Sequence, residues 1–81
     1  MKTDIYKKDR KESMGKISYK RLWILLIERG ITKPQFREMC GISTGTMTKL
    51  NKGEPVSLTV LMRVCTVLQC DLNDVCEIKR P

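Results

Sequence analysis

An all-α fold, a compact five-helix bundle behind a flexible basic N-terminal arm, is predicted by three features of this 81-residue chain. One start signal recurs along it: an apolar residue, a capping side chain, three residues, then a second apolar residue. The cap accepts from orphan backbone N–H groups, and the flanking apolar pair closes over it as a hydrophobic staple. Glycines fall where helices must stop, and no proline lies in a helix interior. Between these marks the apolar residues recur at helical spacing.

In chain order, Ile17 and Leu22 flank Ser18, which opens the first helix. Its apolar run over 22–27 includes Trp23 and is bracketed by Lys20, Arg21, Glu28 and Arg29. The run is too short for a membrane span of about 20 residues. It reads as a core helix wedged between neighbours and ended by Gly30. Ile31 and Phe36 flank Thr32 at the second start, with Pro34 in the first turn, where a missing N–H is tolerated, and Gly41 at the end. Ile42 and Met47 flank Ser43 at the third, which Gly53 ends, and Pro55 falls in the connection that follows. Val56 and Leu61 flank Ser57 at the fourth. There Leu58, Leu61, Met62, Cys65 and Leu68 form one face, and Val60, Val64 and Val67 widen it enough to predict burial on more than one side. Cys70 and Val75 flank Asp71 at a short fifth helix.

The second and third starts carry the functional reading. Thr32 and Ser43 lie eleven positions apart in ITKPQFREMCGISTGTMTKLNKG, with Gly41 just ahead of the second. That spacing leaves room for about two helical turns and a tight bend, so the second helix of the pair crosses the first steeply as a helix-turn-helix. With Met47 and Leu50 set inward, Gly45, Thr48, Lys49 and Lys52 turn outward at about 100° per residue. The N-terminus of that helix offers N–H groups and a positive dipole end to phosphate.

Charge agrees with a polyanionic partner. The chain carries 16 Lys and Arg against 9 Asp and Glu, a formal net charge of +7. Residues 1–16 hold six basic and three acidic side chains with little to bury, which predicts a mobile arm; it either tracks the DNA backbone or reaches a minor groove, or it is a solvated extension, the reading favoured because compositional signals of this kind are weak. Residues 17–81, the domain, hold ten basic and six acidic side chains. Arg29, Lys33, Arg37, Lys49 and Lys52 belong to the two-helix unit or its edge, whereas Asp71, Asp74 and Glu77 gather toward the C-terminal end.

Residues 17–78 resemble a Cro/cI-type helix-turn-helix domain of the phage-repressor or xenobiotic-response-element family. The likeness rests on TKPQF opening the second helix, CGIS as the turn, TGTMTKLNKG as the third helix with its basic exit, and VSLTVLMRVCTVLQCDLNDV as the fourth and fifth. It implies a lambda-repressor-like fold in which the helix after Ser43 is the recognition helix, with Ser43, Thr44, Gly45, Thr48 and Lys49 toward DNA. Lys33 and Gln35 are then placed to hold the DNA backbone. Two positions depart from the family pattern. A small residue is common where Arg37 stands, so its guanidinium must lie along the groove between the helices or turn outward. The outward set also lacks an Arg, Gln or Asn for a bidentate base contact, which leaves Lys49, threonine methyl contacts, water or DNA shape to carry specificity.

Cys40, Cys65, Cys70 and Cys76 have no CxxC spacing and the chain has no histidine, so neither metal nor cofactor is expected, and the cysteines read as small hydrophobes. No nucleophile has a neighbouring base and no glycine-rich phosphate loop is present, so no catalysis is expected. Without a signal-peptide pattern the expected location is cytoplasmic. The expected function is a DNA-binding transcriptional regulator, a repressor in its simplest form, acting on an operator as a homodimer. Leu72, Val75, Cys76 and Ile78 are the candidate dimer surface, the alternative being that they close the monomer core. The rival functions are an antitoxin or a protein-interaction module that keeps the fold with weak or no DNA affinity.

Overall fold

The start signals at Thr32, Ser43 and Ser57 each become a helix N-cap in the computed structural model, which describes residues 15–80. The order is β1 (Lys16–Ser18), α1 (Lys20–Arg29), α2 (Lys33–Cys40), α3 (Thr44–Lys52), α4 (Leu58–Leu68), one 3-10 turn (Leu72–Asp74) and β2 (Glu77–Lys79). Thr32 accepts from the Gln35 N–H at 3.2 Å while its own N–H donates to Gln35 Oε1 at 2.8 Å, a complete capping box. Ser43 accepts from Thr46 N–H and Ser57 from Val60 N–H, each at 3.2 Å. Gly41, at φ +63, turns the chain sharply between α2 and α3.

Among the described residues four α-helices form instead of the five expected, and the first begins without its expected serine cap, both for one reason. β1 and β2 pair antiparallel with Lys16 opposite Lys79, Ile17 opposite Ile78 and Ser18 opposite Glu77. Ser18 is therefore strand rather than cap, and Tyr19 stands before α1 with no side-chain cap bond. Tyr19 is buried, and its hydroxyl donates to the Glu54 carbonyl at 2.8 Å, so the entry to α1 is fixed by a long-range bond. At the other end the Asp71 N–H donates to Asp74 Oδ2 at 3.0 Å, which closes a single 3-10 turn before the chain leaves as β2. Of the arm expected over 1–16, residues 1–14 lie outside the described part, and Lys16 begins β1.

The core gathers Leu22 and Leu26 of α1, Phe36 and Cys40 of α2, Met47 and Leu50 of α3, Leu61, Val64 and Leu68 of α4, and Val75. Two faces differ from expectation. In the 22–27 run, Ile24 and Ile27 are exposed, so α1 buries one side instead of being wedged between neighbours. In α4 the buried line is Leu61, Val64 and Leu68, while Leu58 and Met62 are each 61% exposed. A helix apolar on nearly every side has no period by which to orient itself, so contacts with α2 and the 3-10 turn decide its rotation.

Candidate nucleic-acid interface

α3 is short, capped at both ends and anchored through Met47 and Leu50, which leaves Thr44, Gly45, Thr48, Lys49 and Lys52 exposed together with its cap Ser43. The helix carries two lysines in its last turn and no carboxylate. Apart from its chain neighbours and its own helix backbone, no heavy atom of the described residues lies within 4 Å of where a Cβ on Gly45 would stand, so the backbone there is open to close approach by a ligand.

Hydrogen bonds fix what each hydroxyl can still do. Ser43 Oγ donates to Thr46 Oγ1 at 3.0 Å and accepts the capping N–H. Thr48 Oγ1 donates to the Thr44 carbonyl at 3.0 Å, which leaves it lone pairs and a methyl group to present. Thr44 Oγ1 accepts from Arg37 Nη2 at 3.2 Å and so keeps its proton for an acceptor outside the protein. Arg37 therefore ties α2 to the first turn of α3; the large residue at this position reaches across to the neighbouring helix instead of crowding it.

At the start of α2, Lys33 Nζ donates to Asn51 Oδ1 at 2.8 Å and stands 4.0 Å from the centre of the Trp23 ring. The ring in turn meets Phe36 edge-on, with centroids 6.4 Å apart. Lys33 is thus held against both α1 and the last turn of α3. Gln35 is exposed, with its carbonyl spent on the capping box and its amide donors without a partner among the described residues. All eight residues expected at the interface are exposed, and Lys33 and Gln35 sit on the same two-helix unit as α3.

The arginines do other work. Arg29 donates to the Leu68 carbonyl at the C-terminal end of α4, Arg63 to the Gly41 carbonyl at 3.3 Å, and Arg21 to the Asn73 carbonyl at 3.3 Å, with Glu77 3.6 Å away. Arg29, expected on the positive face, instead meets the negative end of a helix dipole. Sequence reasoning missed Asn51, Trp23 and Tyr19 as positioning groups, because their partners lie far along the chain with no local spacing to betray them.

Of the expected dimer residues, Val75 is fully buried and Cys76 is buried, so both belong to the monomer core; this corrects their assignment to the surface. Leu72 and Ile78 are exposed, at 45% and 64%. Cys40 is buried as expected, and burial raises its thiol pKa. No helix among the described residues is long and apolar enough to cross a membrane.

A capped support helix, a tight glycine turn and an exposed basic second helix define a helix-turn-helix domain. The chain belongs to the Cro/C1-type helix-turn-helix DNA-binding domain family, whose model matches residues 21–80. Its structure is similar to the crystal structure of transcriptional regulator VanUg, Form II. The TM-score is 0.81 at 44% sequence identity, over 84% of this chain and 91% of that one. No curated protein matches the chain.

Proposed function

We propose that the protein is a sequence-specific regulator of transcription that lays α3 in the major groove of an operator. The observation that carries this is the exposed face of Thr44, Gly45, Thr48, Lys49 and Lys52 on a carboxylate-free helix whose opposite face, Met47 and Leu50, is anchored in the core. Lys49 contacts base edges or the adjoining phosphate, Thr44 donates its remaining proton, and the Thr48 methyl suits a thymine methyl. The α2 start, through Lys33 and Gln35, holds the flanking phosphates. The similarity to a transcriptional regulator supports the same reading. Repression needs only occupancy of a promoter, and the protein acts in the cytoplasm by binding, not by catalysis.

A single recognition helix with so few base-reading groups covers too little DNA to be selective, so the operator is bound by a symmetric dimer reading half-sites about 34 Å apart. Leu72 and Ile78 remain as the exposed apolar candidates for its surface. Sedimentation of the wild type and of a Leu72→Asp, Ile78→Asp variant tests it. The dimer is rejected by a wild type that stays monomeric at high concentration and on DNA.

The decisive functional experiment is binding to the DNA upstream of the protein's own gene across a salt series. Log affinity is expected to fall with log salt with a slope of about 0.9 per phosphate contact, for roughly four to eight contacts. Lys49→Ala should weaken binding more than Lys7→Ala, in the segment outside the described residues. No binding at low salt would favour the second reading, a protein-interaction module, whose support is that Asn51, the one exposed side chain of α3 able to make a bidentate base contact, has its carbonyl oxygen engaged by Lys33.

A further inference from the structure

Beside the C-terminal end of α3 lies an open groove of about 420 Å³, whose lining includes Trp23, Asn51, Lys16, Lys20, Lys52 and Lys79. Its lining contains four lysines and, among the described residues, no carboxylate. Two of those lysines, Lys16 and Lys79, are direct cross-strand partners in the β1–β2 pair. Like charges placed opposite each other in a strand pair oppose the pairing, and here they do so in the only sheet among the described residues. Lys33, bonded to Asn51 and stacked over Trp23, adds a fifth positive charge at the edge of the groove.

We propose that this groove is a second DNA-backbone site, in which the strand lysines Lys16 and Lys79, with Lys20 and Lys52, hold consecutive phosphates beside the major groove entered by α3. The inference rests on the DNA-binding reading above and extends its footprint from the two helices to the sheet formed by the chain's two ends. Three features favour a nucleic-acid strand over a small discrete anion. The groove is open and runs on from the basic exit of α3, so its charge continues that of Lys49 and Lys52. Its cations are lysines, mobile point charges that follow a backbone, and not the planar forks that clasp one oxyanion. Arg21, Arg29 and Arg63, which could supply such forks, are bonded to backbone carbonyls elsewhere. A phosphate between Lys16 and Lys79 would turn a repelling pair into a bridged one, so DNA binding and closure of the sheet support each other.

The test compares the full-length wild type, Lys16→Ala/Lys79→Ala and Lys49→Ala on one duplex from upstream of the gene and on a scrambled duplex, across a salt series. Removing two phosphate contacts should lower the magnitude of the salt slope by about 1.8 and weaken both duplexes by a similar factor. Lys49→Ala should instead lose more affinity for the upstream duplex than for the scrambled one. An unchanged salt slope in the folded double variant, with Lys49→Ala still impaired, overturns the sheet site and leaves the recognition helix standing. If the wild type binds neither duplex, both readings fall. Titration with inorganic phosphate and pyrophosphate forms the third arm: saturation at micromolar concentration, with no change in DNA slope, assigns the groove to a small anion and overturns the proposal. Should the alanine pair fail to fold, Lys16→Gln/Lys79→Gln keeps the side-chain stems and decides the same question.

Discussion

The α2–α3 unit and the closing β1–β2 pair are held together by opposite kinds of information. The caps and the turn of the first are shaped by bonds between near neighbours: Thr32 with Gln35, Ser43 with Thr46, Arg37 with Thr44; Lys33 with Asn51 and Arg63 with the Gly41 carbonyl are its longer-range ties. The second joins Lys16 to Lys79 and Ser18 to Glu77, with Tyr19 bonded to the Glu54 carbonyl and Val75 sealed into the core below. The helix boundaries of the α2–α3 unit are thus set by short-range grammar, while the segment that locks it onto the rest of the chain depends on contacts between distant residues.

The largest effect should come from the closing segment. Val75→Asp buries a carboxylate where no water reaches, at a cost comparable to the whole stability of a domain this small. It should abolish cooperative thermal unfolding followed by circular dichroism. Ile78→Asp, three residues on but 64% exposed, should stay folded. Equal tolerance of the two substitutions would break the distinction between a core-sealing residue and a surface one.

A smaller effect separates a local cap from a serine that only looks like one. Ser43→Ala should cost about 1 kcal/mol, a drop of roughly 4–8 °C in Tm, and should weaken DNA binding because the first turn of α3 loosens. Ser18→Ala, at a strand position with only a 3.4 Å contact to the Lys20 N–H, should shift Tm by a small fraction of that. The reverse order would mean that α1, not α3, relies on its serine.

The same contrast marks what could be read from the sequence. Ser43, Thr32 and Ser57 were legible as caps, and with them the outward face of α3, because cap, staple and stop all lie within one or two turns. Ser18 carried the identical pattern and misled, since its backbone is claimed by Glu77 near the other end of the chain. Asp71 and Val75 likewise satisfied the start signal. The chain instead makes one 3-10 turn, because a strand partner awaits and Val75 is drawn into the core. The rotation of α4 and the groove lysines Lys16 and Lys79 were equally beyond reach, since each is set by packing between distant segments. A short strand of three residues gives too little alternation to announce itself.

The smallest expected effect is a pH dependence in the closing segment. Burial, then the neighbouring Cys65 and Asp74, push the Cys70 thiol up to about 11 from an ordinary value of 9.0. The folded chain keeps a proton there that the unfolded chain loses, so this contribution to stability is complete below pH 9 and fades as pH rises through 11. Cys70→Ser should accordingly flatten a small part of the alkaline fall in Tm across that window. An identical fall in both proteins would place its origin in other groups.

Amide chemical-shift mapping of the full-length protein, on adding duplex DNA from upstream of its own gene, tests the central claim most directly. The account predicts the largest perturbations over α3 and at the start of α2, led by Thr44, Gly45, Thr48 and Lys49, with little change in the 3-10 turn at Leu72–Asp74. Perturbations centred on that turn or on the exposed Leu58 and Met62 of α4, with α3 silent, would contradict the assignment of α3 as the recognition helix.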